Sequence, residues 1–117
     1  MIAFVSADVL RSEENDTIKC GLYLAEPVVN GEALKRRLDT VHSCTVYVFR
    51  DGAEPVIKSA TDNGSGFYVC ELSAAERPPS GAEFVLTVGI KEQATSTEHQ
   101  LEGTGRIDGT YTQLVLH

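Results

Sequence analysis

The sequence predicts an all-β domain, a two-layer antiparallel β-sandwich of seven or eight strands formed by residues 1–117. Three observations carry that expectation. Apolar side chains recur at every second position in several stretches, the period of a half-buried strand. Turn-forming clusters fall at intervals of roughly ten residues, the spacing of sandwiches and barrels. No segment alternates strands with long helices as a parallel sheet requires. At 117 residues the chain has room for one domain, and a domain near this size buries roughly two-thirds of its unfolded surface, enough for its own core.

Ile2 to Leu10 reads as the first strand. From Thr17 to Ala25, Ile18, Cys20, Leu22 and Leu24 alternate with Thr17, Lys19, Gly21 and Tyr23. Ser43 to Arg50 is rich in β-branched and aromatic residues and suits a central strand. Val56 to Ala60 is a weaker candidate. Phe67 to Leu72 sets Tyr68, Cys70 and Leu72 on one side. Glu83 to Lys91 sets Phe84, Leu86, Val88 and Ile90 on one face against Val85, Thr87 and Lys91. His99 to Ile107 is again weaker, and Tyr111 to Leu116 closes the series. Turn residues separate them at Ser12–Asp16, Asp51-Gly52, Asp62–Gly66, Pro78–Gly81 and Asp108-Gly109. One short helical turn is expected near residues 31–39, where Ala33, Leu34 and Leu38 give it an apolar side; at that length it depends on tertiary packing.

Composition narrows the function classes. Apolar residues make up 42% and charged residues 23%, with a formal charge of −7. These values fit a globular chain and disfavour nucleic acid or anionic lipid as the main partner. No run approaches the roughly 20 apolar residues of a membrane helix. The N-terminal Met1–Asp8 lacks a basic region and does not read as a signal peptide, so a cytoplasmic or particle-assembled protein is expected. The Asn15 and Asn63 glycosylation patterns are then chance matches. Cys20, Cys44 and Cys70 form no CxxC pair. All three are expected as free thiols, with a Cys20–Cys70 bridge as the rival.

The middle of the chain resembles a family pattern. Thr45–Phe49 is followed by the turn Asp51–Pro55, then Thr61-Asp62-Asn63-Gly64-Ser65-Gly66-Phe67-Tyr68, then Gly81–Val88. This is similar to the transthyretin-like and carboxypeptidase-regulatory-like domains over about residues 43–90, with one extra residue before Gly66 and a longer loop over Ser73–Ser80. The resemblance implies an immunoglobulin-like or transthyretin-like sandwich in which Asp and Gly set a hairpin and the next aromatic plugs the core. It implies no activity. The group's one enzyme type, a hydrolase of a purine-breakdown intermediate, has a Tyr-Arg-Gly-Ser-like C-terminus; this sequence ends Gln113-Leu114-Val115-Leu116-His117.

No residue set points to catalysis, a cofactor or a metal. His42, His99 and His117 lie in or beside expected loops or the terminus, and no serine or cysteine stands in a nucleophile elbow. Cys44 sits two residues from His42, but its environment reads as that of a buried, inert thiol. Asp62, Asn63 and Ser65, with Asp51 and Glu54 nearby in sequence, offer oxygens without calcium-loop spacing, and Asx-turn capping accounts for them. Gly103-Thr104-Gly105-Arg106 has a late third glycine and no helix after it, so it reads as a bulge or turn rather than a dinucleotide loop.

What remains is surface. If the inward sets are as above, Tyr23, Tyr47 and Phe49 face out and mark an interface. Leu114 and Leu116 are a further interface pair, on a terminal strand that a neighbouring chain could close. Lys35, Arg36 and Arg37, the only basic cluster, are candidates for an anion or an acidic partner. The expected role is a non-enzymatic structural or binding module acting through protein–protein contacts, a homo-oligomeric subunit of a larger assembly such as a phage particle or appendage. A carbohydrate-binding module using Tyr23, Tyr47 and Tyr111 is the alternative, and a small hydrolase the third reading.

Overall fold

The alternating stretches become strands whose apolar sets turn to one interior. The structure, a computed structural model, describes residues 2–29, 32–38 and 40–117, the side chains of 25–29 and 32–37 excepted. Among them nine strands run in chain order: β1 (Ile2–Arg11), β2 (Asn15–Val29), β3 (Glu32–Arg37), β4 (Ser43–Arg50), β5 (Val56–Asp62), β6 (Tyr68–Ser73), β7 (Glu83–Lys91), β8 (His99–Arg106) and β9 (Tyr111–Leu116). All pairings are antiparallel, and the described residues contain no helix.

The strands form one continuous path, β8-β7-β4-β5-β6-β2-β1-β9, with β3 branching from β2. Strands β4, β5 and β6 follow one another as hairpins and β7 returns beside β4, a Greek key. The path bends round on itself. Glu102 of β8 and His117, just beyond β9, exchange backbone hydrogen bonds of 3.1 Å in both directions, so the sheet nearly closes into a barrel. Two joints are short: that single exchange, and the β5–β6 seam, which pairs only Thr61 with Val69 and Asp62 with Tyr68.

The interior is aliphatic. Val5, Val9, Ile18, Leu22, Val46, Val48, Leu86, Ile90, Leu101, Ile107 and Leu116 are fully buried. The barrel closes where β8 is thin. A Cβ on Gly103 would stand 2.8 Å from Leu116 Cδ2 and 3.1 Å from the Val115 carbonyl, and one on Gly105 would press on Leu114. Those glycines are neither bulge nor turn; they give β9 room to pack against β8. Tyr68 is the aromatic plug, its hydroxyl accepting from the Val41 backbone N–H at 3.0 Å.

One end of the barrel holds a buried charge. Asp16 is 0% exposed and accepts two 2.8 Å hydrogen bonds from the Arg11 guanidinium. Arg11 also reaches the Pro78 carbonyl and Ser80 Oγ. Arg77 lies 3.6 Å from Asp16 and donates to the Ser12 and Glu13 carbonyls. The cluster ties the β1–β2 hairpin to the long β6–β7 connection.

The helical turn expected near residues 31–39 is replaced by β3. Strand β2 runs on past Ala25 to Val29, and β3 folds back along it. Its ladder with β2 supplies hydrogen bonds that so short a helix would have to find alone. Residues 31 and 39 lie outside the described residues.

Candidate contact face

Strand β4 runs between β5 and β7 with Cys44, Val46 and Val48 inward. Its alternate side chains, Thr45, Tyr47 and Phe49, must therefore point out of the barrel. Register extends the outward row across four strands: Ile57 of β5 stands opposite Tyr47, Val85 and Thr87 of β7 stand opposite Phe49 and Tyr47, and Gln100 and Glu102 of β8 follow beside β7. Ile57 is 63% exposed and Phe49 41%. Tyr47, Phe49, Val85, Thr87, Gln100, Glu102 and His117 line an open concavity of about 720 Å³.

The polar rim of this face is held in place. The Tyr47 hydroxyl donates to the Glu98 carboxylate at 3.0 Å. Glu98 reaches it by lying across Gly89, where any Cβ would collide with its carboxylate. Burial first, and then the Glu98 carboxylate, raise the Tyr47 pKa, so the phenol stays a neutral donor. The Tyr47 hydroxyl is thereby tethered at the rim, while Phe49 stays 41% exposed.

The opposite outer face, over β6, β2, β1 and β9, uses its aromatics differently. Phe4 and Tyr23 stack with centroids 4.8 Å apart and planes 8° from parallel. Lys19 Nζ lies 4.1 Å from the Phe67 ring centre, a cation–π contact. The Tyr111 hydroxyl donates to Asp8 at 2.7 Å, and that bond raises the Tyr111 pKa. Of the four tyrosines and four phenylalanines, only Tyr68 and Phe84 are buried.

The expected site residues thus separate. Tyr47 and Phe49 share one face. Tyr23 stands on the other, half-buried against Phe4. Leu114 and Leu116 are buried in the core at 4% and 0% exposure, because β9 alternates in a register that turns both inward; the large apolar side chains this strand leaves exposed are Tyr111 and Val115. Lys35, Arg36 and Arg37 lie on β3, and their side chains are outside the described residues. The exposed Ile57 was legible only through its pairing with Tyr47, which needs the register; its own strand carries a weak pattern.

Cys20, Cys44 and Cys70 are buried free thiols. Ile18 rather than Cys20 stands opposite Cys70, and Cys20 opposite Tyr68, so no bridge forms between them. The Cys20 thiol, hydrogen-bonded to Cys44 and enclosed, is held well above its ordinary pKa, and burial pushes Cys70 up to about 12. Such thiols stay protonated and unreactive. In the Asp62–Gly66 turn, Asp62 Oδ1 accepts from the Gly64 N–H and Asn63 Oδ1 from the Ser65 N–H, both at 2.9 Å. Gly64 and Gly66 adopt φ of 83° and 81°, the left-handed backbone that favours glycine. Among the described residues no three His, Cys, Asp or Glu side chains gather in a way that could hold a metal ion, and no helix is long and apolar enough to cross a membrane. His42, His99 and His117 are all exposed. No family model, curated protein or solved structure matches the chain.

Proposed function

We propose that the protein is a non-enzymatic contact module, a homo-oligomeric subunit of a larger assembly that docks through the outer face of β5, β4, β7 and β8. The observation that carries this reading is the joint exposure of Ile57, at 63%, and Phe49, at 41%, with Ile57 opposite Tyr47 and Phe49 opposite Val85 on one sheet face. Single exposed apolar residues are common, whereas a contiguous aromatic and branched patch with a polar rim has the anatomy of an interface core. A second copy is the occupant we favour, since the same patch stands on every copy of the chain and can be self-complementary about a two-fold axis. The immunoglobulin-like or transthyretin-like reading of residues 43–90 belongs to the same proposal and rests on the turn pattern of that stretch alone. A cytoplasmic or particle-bound setting goes with it.

Carbohydrate recognition fits less well. A sugar platform needs an open ring face, and Tyr23 has Phe4 stacked on it, while the Tyr47 and Tyr111 hydroxyls are already committed to Glu98 and Asp8. The test is solution mass by light scattering. The unaltered protein should exceed one chain, and Phe49→Ser with Ile57→Ser should reduce the mass. A single-chain mass for the unaltered protein across micromolar concentrations overturns the proposal, and binding on a glycan array that Phe49→Ser abolishes would replace it with the carbohydrate reading.

A further inference from the structure

Near-closure of the barrel covers strand edges, and β3 stands outside that closure. It pairs with β2 alone, along Tyr23–Arg37, Leu24–Arg36, Ala25–Lys35, Val28–Ala33 and Val29–Glu32. The register shift falls on β2, where Glu26 and Pro27 oppose Leu34, so β3 itself keeps an unbroken alternation. Beyond Leu24, β2 no longer pairs with β1 or β6, and the two strands run on as a ribbon. A two-stranded ribbon is marginally stable by itself, and its outer edge carries a row of backbone donors and acceptors with no strand beside it among the described residues.

We infer that this edge is a pairing site for β3 of a second copy, joined antiparallel about a two-fold axis with Leu34 opposite Leu34. The argument is one of parity and charge. Directly opposed residues of an antiparallel pair either both point their backbone groups at each other or both point them away. A strand meeting itself must therefore pair residues whose numbers differ by an even amount. Two centred registers satisfy this for Glu32–Arg37. With Lys35 opposite Lys35, like charges meet on the axis, Leu34 faces Arg36, and Glu32 has no basic position opposite it. With Leu34 opposite Leu34, the apolar residue occupies the axis and Glu32 stands opposite Arg36 twice. Opposite-charge cross-strand pairs stabilise a ladder and like-charge pairs oppose it. Charges on an edge strand usually deter indiscriminate pairing; in the order Glu-Ala-Leu-Lys-Arg-Arg they also select one register.

The test is disulfide trapping in the full chain. The native thiols are all buried, so a covalent dimer reports on the introduced cysteine. Opposed Cα atoms lie about 4.5–5.5 Å apart, within disulfide reach, whereas residues displaced by two positions exceed it. Leu34→Cys should therefore give a covalent dimer with a mild thiol oxidant, and Lys35→Cys should not. In the Leu34→Cys background, Arg36→Glu should reduce the dimer several-fold, and Glu32→Arg added to it should restore the yield, since the swap recreates both pairs. Trapping through Lys35→Cys instead, absence of a dimer from both variants, or failure of the swap to rescue overturns the inference. This edge is separate from the Phe49 face: Phe49→Ser should leave the Leu34→Cys dimer intact, so loss of either contact is read independently of the other.

Discussion

Two regions of this molecule break the usual partition of polar outside and apolar inside, and they do so in opposite senses. At the barrel end the Asp16 carboxylate is wholly buried; on the face of β4, Phe49 and Ile57 stand in water. The buried charge is compensated within the chain, by two hydrogen bonds from Arg11 and by Arg77. The exposed apolar residues keep 41% and 63% of their surface open among the described residues. An irregularity that is answered internally belongs to stability, while one left open belongs to a contact with something else. The two classes of residue should therefore separate when each is removed.

The largest effect is expected at Asp16. Asp16→Ala leaves the Arg11 guanidinium, whose side chain is only 9% exposed, without its counter-charge. Removing one partner of a buried ion pair costs about 3–5 kcal/mol, a large part of a typical domain's stability. Urea unfolding should show the midpoint falling sharply, with association of the remaining folded protein unchanged. A loss below about 1 kcal/mol would mean that the Pro78, Ser12 and Glu13 carbonyls hold the arginines unaided.

The next effect is expected at the closing seam. Gly103→Ala places a methyl against the Val115 carbonyl and the Leu116 side chain; the backbone carbonyl cannot swing aside, and overpacking of this kind costs about 1–3 kcal/mol. Hydrogen exchange at the Glu102 and His117 amides, which close the barrel, should accelerate more than exchange in the β4–β7 ladder. Uniform acceleration would show that the seam does not open as a local unit. Phe49→Ser marks the other pole of the comparison: unfolding free energy should stay within about 0.5 kcal/mol while the solution mass falls.

The sequence and the structure agree wherever a strand's own alternation decides burial. Ile18, Cys20 and Leu22 turn inward, as do Phe84, Leu86, Val88 and Ile90, and the Asp62–Gly66 turn follows from its Asx and glycine chemistry. Elsewhere the deciding fact is a partner distant in sequence. Ala33, Leu34 and Leu38 suit a helical turn until β2 is seen to extend beside them. Leu114 and Leu116 resemble a free apolar edge until Gly103 and Gly105 are placed beneath them. Ile57 has little local pattern, and its membership of the contact face comes only from its position opposite Tyr47. The candidate face was half legible for the same reason: one strand's alternation named Tyr47 and Phe49, and a single strand does not name its neighbours.

The smallest effect lies between the two extremes, at a partly exposed ion pair between β5 and the β6–β7 connection. Glu76 Oε2 is 2.7 Å from Lys58 Nζ, with side chains 30% and 33% exposed, and Glu76 Oε1 accepts from the Ser73 N–H at 2.9 Å. The hydrogen bond from Lys58 first, and then that from Ser73, lower the Glu76 pKa from 4.5 to about 2. A folded-state pKa below the unfolded value adds stability that is fully present above the unfolded pKa and is lost as pH falls through the folded one. The window here is therefore from about 4.5 down to about 2. With both groups partly in water the contribution should be no more than about 1 kcal/mol. Lys58→Met keeps the aliphatic stem and removes the charge, so the difference in unfolding free energy between the two proteins isolates the pair from the other carboxylates. That difference should be present at neutral pH, shrink across the window and weaken in high salt. A difference independent of pH would assign Lys58 to packing against the β6–β7 connection rather than to the ion pair.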